Sequence, residues 1–346
     1  MNKATDRNLI IGKWLMLGVA MLTVQVLLGG ITRLTGSGLS ITEWEPILGA
    51  LPPMNDADWA HAFDEYKKIG QFTYLNSEFT LGDFKFIYFW EWFHRNWARL
   101  ISVAFLIPFV IFLVKGYFRL GDLPKLLVLF AIGVLLAMVG WIMVFSGLNP
   151  EDLYVSHIKL AMHFNLAMFL IALTFWFALG YLKQNLTVVP NIKLRNLTRT
   201  FIVLLAVQLV YGAFMAGQKA AQAAATWPLI NGDLLPPSVL QESILYNSIS
   251  IHFVHRSLAF VLFIFSIVWT WRLYKSKIKK AFLPIVLVLL QALLGILSVL
   301  TSPKAVKNGW GLFEWNAQLH QLVAMSLLLS LVYFLFIFTN KKLKYS

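Results

Sequence analysis

Eight stretches of this chain are each about 20 residues long and almost wholly apolar, and they constrain its fold more than any other feature. They cover residues 11–30, 94–114, 124–145, 158–182, 200–217, 248–271, 281–300 and 317–338. Runs of that length match a hydrocarbon layer of about 30 Å, and inside it each backbone N–H and C=O must be satisfied within its own segment, which selects the α-helix. Of 346 residues, 59% are hydrophobic and 13% charged, about half the charge a soluble surface uses. The expected fold class is an all-α polytopic membrane protein with eight transmembrane helices. Lys3, Arg7 and Lys13 stand before or at the start of the first run as in a signal peptide, but no small-residue cleavage site follows it, so it reads as a helix.

The formal charge of +13 follows from where the charges fall. Basic residues crowd the N-terminus, segments 115–125, 183–199 and 272–280, and the C-terminus, where the only acids are Asp6 and Asp122. Basic loops stay in the cytoplasm. Both termini are therefore expected inside a bacterial inner membrane, and the charge marks topology and contact with anionic lipid, not nucleic acid. The absence of cysteine removes disulfides, thiolate metal sites and thiol nucleophiles together. The longest connection, 31–90, falls outside. It carries a Gly- and Pro-rich stretch and then DADWAHAFDEYKKIGQF, which reads as a short amphipathic surface helix; the loop is either a lid over an outward-facing site or a plain interfacial loop.

The chain reads as a duplication. Gln-x-x-x-Gly occurs at Gln25–Gly29, Gln208–Gly212 and Gln291–Gly295, with Gly140 in the same place on the third span, and His-Arg recurs at His94–Arg95 and His255–Arg256. Four spans return the chain to its starting side. Residues 1–185 and 186–346 are therefore expected to form two four-helix bundles related by a pseudo-twofold axis along the membrane normal. The glycines on odd-numbered spans are expected to let neighbouring backbones approach closely.

Of seven histidines, His94, His163, His255 and His320 each fall early in an even-numbered span, at similar depth in the outer leaflet. Two parallel helices in each half would face their imidazoles at one level, an arrangement that clamps an iron porphyrin from both faces. Zinc fits less well, because it seeks four tetrahedral ligands and each half offers two. Arg95, Arg99 and Arg256 are the arginines within the spans, where they either snorkel to water or pair with porphyrin propionates. The halves differ one turn before the first histidine: Glu91 precedes His94, whereas His252 precedes His255. Glu91 is read either as a carboxylate capping a helix start or as a group that takes protons or stabilises positive charge beside a porphyrin substituent. His157 and Glu314 are too far along their helices to join the same ligand spheres, and His61 reads as solvated.

GGITRLTGSGLSITEWEPILGALPP, FKFIYFWEWFHRNWARL, GWIMVFSGL, LAMHFNLA, HFVHRSLA and QLHQLVAM together resemble the heme A synthase family, most closely its mitochondrial and alphaproteobacterial branch. The absence of the outer-loop cysteine pair found in some bacterial members fits that branch. The resemblance implies an enzyme that oxidises a ring methyl group of heme O to the formyl group of heme A for cytochrome oxidase, in two successive oxidations. It implies His94 and His163 on the substrate heme, His255 and His320 on a permanent heme b, and a functional role for Glu91. It also implies heme O synthase (a farnesyltransferase) and the oxidase assembly machinery as partners. The hard oxidation falls to a cofactor; no flavin or nicotinamide fingerprint is present, so electrons are expected to enter through the heme of the C-terminal half or from a partner, while the donor stays unassigned and self-association is open. Two other classes compete: a bis-histidine diheme b-type electron-transfer cytochrome reacting with quinol, and a transporter. Cytochromes of that kind stack hemes across both leaflets, and transporters favour broken helices at the midplane.

Overall fold

The computed structural model describes residues 3–44, 48–183 and 186–339. Residues 45–47 of the long loop, 184–185 of the central connection, and the ends 1–2 and 340–346 lie outside the described residues. The protein is a multi-pass membrane protein: 8 helices are long and apolar enough to cross a bilayer. In chain order the helices are α1 (Lys3–Leu34), α2 (Asp56–Tyr66), α3 (Gly70–Leu75), α4 (Leu81–Val114), α5 (Leu123–Phe145), α6 (His157–Tyr181), α7 (Ile192–Gly217), α8 (Ala220–Ala223), α9 (Ser238–Gln241), α10 (Ser248–Lys275), α11 (Leu283–Thr301) and α12 (Leu312–Thr339). Among the described residues no strand forms, apart from one isolated bridge between Ile230 and Asp233.

The spans match the sequence reading in number and order, but the second is longer. α4 starts at Leu81 because Thr80 and Asp83 form a reciprocal cap: Thr80 Oγ1 accepts from the Asp83 N–H at 3.3 Å, and the Asp83 carboxylate accepts from the Thr80 N–H at 2.9 Å. The stretch that follows is aromatic and mixed in polarity, so hydropathy alone does not score it as a span. It becomes helical by burying Phe84 and Ile87 against Phe63 and Tyr66 of α2. Residues 81–90 therefore belong to a helix, not to the loop, and His94–Arg95 lies well inside α4 instead of opening it. α2 forms where the amphipathic segment was read, with the Asn55 side chain accepting from the Asp58 N–H at 2.9 Å.

Four helices make the centre. α1 packs on α4, α6 and α12; α6 also packs on α5, α7 and α12; α7 packs on α10 and α12; α11 packs on α10 and α12. α4 and α5 thus flank one side, and α10 and α11 the other. The shared core includes Leu15, Ile171, Ala178, Phe201, Leu205, Leu331 and Phe334, all buried. In lipid such helices associate through close packing instead of water exclusion. At Gly217 a Cβ would lie 2.6 Å from His157 Cβ and 2.8 Å from its Cα, so α7 meets the backbone of α6 there. Gly217→Ala gains about 1 kcal/mol of helix propensity but overpacks this contact by about 3 kcal/mol. A lower unfolding midpoint of the detergent-solubilised protein is expected, with the histidine sites intact; an unchanged midpoint would show that the two helices part freely.

Candidate functional site

The flanking and central helices enclose one continuous cavity of about 1410 Å³, lined by His94, His163, His255 and His320 together. Single small-molecule pockets run to about 1,000 Å³, so this one has room for more than one large ligand. Glu91, Arg95, Arg99, Arg256 and His252 line it as well.

Each histidine faces a glycine on a neighbouring odd-numbered span. A Cβ on Gly29 would lie 3.2 Å from His94 Nε2, on Gly140 2.8 Å from His163 Cε1, on Gly212 3.3 Å from His255 Cε1, and on Gly295 3.0 Å from His320 Cε1. The glycines therefore make room for imidazole rings, and not for neighbouring backbones as the sequence reading had it. The recurring glutamines complete the cradle. Gln25 Nε2 donates to the His94 carbonyl at 3.1 Å, Gln208 Nε2 lies 3.4 Å from His255 Nε2, and Gln291 Nε2 lies 3.1 Å from His320 Nε2. The Gln-x-x-x-Gly pattern was the sequence signal for this device, legible as a repeat but not as a histidine seat.

His320 Nδ1 stands 3.0 Å from the Gln291 carbonyl. A carbonyl only accepts, so Nδ1 carries the proton and Nε2 keeps its lone pair, the tautomer a metal ligand requires. The rings of His255 and His320 have centroids 6.4 Å apart. Two imidazole nitrogens each about 2 Å from one metal, with roughly 1 Å from nitrogen to ring centre, give a similar separation. Among the described residues no group of 3 or more His, Cys, Asp or Glu could hold an ion, which leaves pairs of ligands and disfavours zinc.

Beside the histidines a second device repeats with altered chemistry. Glu91 is buried inside α4, not at a helix start. Its Oε2 accepts from Ser40 Oγ at 2.8 Å and the Ile41 N–H at 2.9 Å, and its Oε1 from Arg95 Nη2 at 2.6 Å. Arg95 in turn donates to the carbonyls of Ile41 at 2.9 Å and Glu43 at 3.2 Å. In the other half His252 replaces the carboxylate and accepts from Arg256 Nε at 2.9 Å. Arg256 donates to the carbonyls of Thr226 at 2.6 Å and of Pro228 and Leu229 at 3.3 Å each. Both arginines of the His-Arg motif thus fasten a loop over the cavity, one of them through an ion pair and one without. Arg99 bonds Asn96 Oδ1 at 3.0 Å.

The remaining singled-out residues are structural in placement. His157 bonds the Leu245 carbonyl at 2.8 Å and Gln218 at 3.2 Å, linking the two halves. The Glu314 carboxylate accepts from the N–H groups of Val306 and Gly311, both at 2.9 Å. His61 is exposed. In the long loop, Tyr66 donates to Gln71 Oε1 at 3.0 Å and accepts from Asn76 at 2.7 Å. Burial, with a small addition from the charge of Glu91, pushes its phenol up to about 12, so it stays neutral in this network.

The residues fit a flat macrocycle in each half. In each half two imidazoles are seated against glycines that a Cβ would crowd, both pairs line one cavity with room for more than one large ligand, and the His255 and His320 rings stand 6.4 Å apart across it. Comparison with known proteins identifies the family. A family model described as "Cytochrome oxidase assembly protein" (COX15-CtaA) matches residues 12–332. Three curated proteins, each named heme A synthase, are similar over most of the chain. That of Flavobacterium johnsoniae is 38% identical over 347 residues, covering 96% of this chain and 98% of its own. That of Rhodospirillum centenum is 42% identical over 268 residues, 75% of this chain and 71% of its own. That of Nitrosomonas eutropha is 38% identical over 319 residues, 87% of this chain and 88% of its own. With the match spanning nearly every helix that carries the four-histidine cavity, this chain belongs to the COX15-CtaA family of cytochrome oxidase assembly proteins.

Proposed function

We propose that this protein is a heme A synthase, oxidising a ring methyl group of heme O to the formyl group of heme A. The observation that carries the reading is the paired histidines, His94 with His163 and His255 with His320, lining one cavity in a chain similar to heme A synthases throughout its length. In this reading residues 1–185 and 186–346 are two bundles with one macrocycle each. His94 and His163 hold the substrate, and His255 and His320 hold a resident heme b. Heme b supplies the electron-transfer chemistry that side chains lack. The termini face the cytoplasm of a bacterial inner membrane and the cavity lies toward the periplasmic side, as the basic segments indicate. Heme O comes from a farnesyltransferase and heme A goes to cytochrome oxidase; converting the methyl to the formyl group removes four electrons and four protons overall and adds one oxygen atom at the level of water, so the oxidant, the oxygen and any electron partner are supplied from outside this chain.

The chain's own residues divide the work. The glycine seats hold each imidazole in place, and the Gln291 carbonyl keeps His320 in the liganding tautomer. Arg95 and Arg256 close the loops that keep water from the cavity, and with Arg99 they put positive charge around it. Glu91 places a fixed carboxylate one helical turn from His94, where it offsets positive charge developing beside the macrocycle. His252 at the matching position carries no such charge, which makes the N-terminal half the reactive one.

Co-expression with a heme O source and analysis of the extracted hemes tests the assignment. Heme A together with heme b is expected, whereas heme b alone would leave a cytochrome and overturn the synthase. Glu91→Gln keeps the size of the side chain and removes its charge. Heme A formation is expected to fall by about 100-fold or more, with the heme b content unchanged. Undiminished output would take Glu91 out of the reaction.

A further inference from the structure

Arg33 stands on α1 four residues beyond Gly29, the glycine that seats His94, so the two share one helix face a turn apart. Side chains on a helix lean toward its N-terminus, which tilts Arg33 back toward the level of His94. It lines the cavity. Arg95 and Arg256 spend their guanidinium groups on loop carbonyls, but the Arg33 side chain makes no hydrogen bond, ion pair or ring contact with any described residue. Among the described residues no acid offsets it: Glu91 is taken by Arg95, Ser40 and Ile41, and Glu314 by two backbone N–H groups. The other three seats have nothing comparable. Four residues beyond Gly140, Gly212 and Gly295 stand Val144, Ala216 and Val299.

A guanidinium enclosed without a partner is costly, and its planar fork of five N–H donors matches a carboxylate. We propose that Arg33 binds a propionate carboxylate of the macrocycle held between His94 and His163. The proposal rests on the heme reading above and makes Arg33, at one site only, the residue that selects the free-acid form of the ligand. Because the Arg33 side chain makes no polar contact with a described residue, replacing it breaks no internal hydrogen bond or ion pair among them.

The full chain, purified in detergent from heme-depleted cells, would be titrated with iron protoporphyrin IX and separately with its dimethyl ester. The wild type is expected to bind two equivalents of the free acid. Arg33→Gln is expected to weaken one of the two by about 10- to 100-fold, the worth of a charge-assisted hydrogen-bond pair. The other equivalent and the binding of the ester are expected to stay unchanged, and Arg33→Lys to recover part of the loss. Free-acid binding by Arg33→Gln at wild-type strength would overturn the proposal. So would an equal loss for acid and ester, which would mean that Arg33 acts through shape alone. A wild type that takes up no iron porphyrin would instead overturn the heme reading, and this proposal with it.

Discussion

Alanine at His255 or His320 is expected to strip the protein of the resident heme b proposed above. The purified variant should lose the low-spin bis-histidine absorption spectrum, with at least about a 100-fold loss of heme affinity. That is the upper range seen for removing a mere supporting partner of a metal ligand, and here the ligand itself is removed. The two rings stand 6.4 Å apart across the cavity, and no third His, Cys, Asp or Glu among the described residues joins them, so no side chain can substitute. Alanine at His94 or His163 is expected to do the opposite. The resident heme and its spectrum stay, while heme A formation stops. The contrast between the two pairs is the test. If all four variants lost the same heme, or if none did, the division of the cavity into a resident site and a substrate site would be wrong.

The second large effect concerns glycine. At Gly140 an alanine Cβ would lie 2.8 Å from His163 Cε1, and at Gly295 3.0 Å from His320 Cε1, both inside van der Waals contact. Alanine is the better helix former by about 1 kcal/mol, so α5 and α11 should persist while the imidazoles are pushed off their seats. Overpacking of this kind costs about 1–3 kcal/mol, a factor of roughly 5 to 150 in an equilibrium constant, and here it falls on ligand geometry. Gly140→Ala is expected to weaken binding at the His94–His163 site and Gly295→Ala to weaken the resident heme. Gly29→Ala and Gly212→Ala, where the distances are 3.2 and 3.3 Å, should be milder. Heme content and the electron paramagnetic resonance of each purified variant would establish the order. Indifference at Gly140 and Gly295 would mean that the rings find another seat.

Much of this site could be read before any coordinates. The four histidines stood out because each recurs at a matching place in a long apolar helix, and Glu91 because His252 occupies its place in the second half. The roles around them were less legible. A helix-start carboxylate stood as one of two readings of Glu91 because residues 81–90 do not score as a span, yet the Thr80–Asp83 cap carries α4 past them. The glycines looked like helix-contact residues because Gln-x-x-x-Gly says nothing about what faces the missing Cβ. Arg33 drew no attention, since a basic residue at the end of a span is ordinary until its neighbours are known.

The sequence by itself determined how many times the chain crosses the membrane, in what order, and which imidazoles recur along it. Those properties are sums over contiguous residues: hydropathy over some twenty positions, and side-chain identity at fixed spacing. Only the tertiary structure decided which glycine seats which histidine, that Glu91 and Arg95 fasten Ser40 and Ile41, and that Arg33 is left without a partner among the described residues. Each of these depends on which helices become neighbours and at what rotation. Between uniformly apolar helices in lipid, close packing of small and polar side chains sets that choice, and hydropathy carries no record of it.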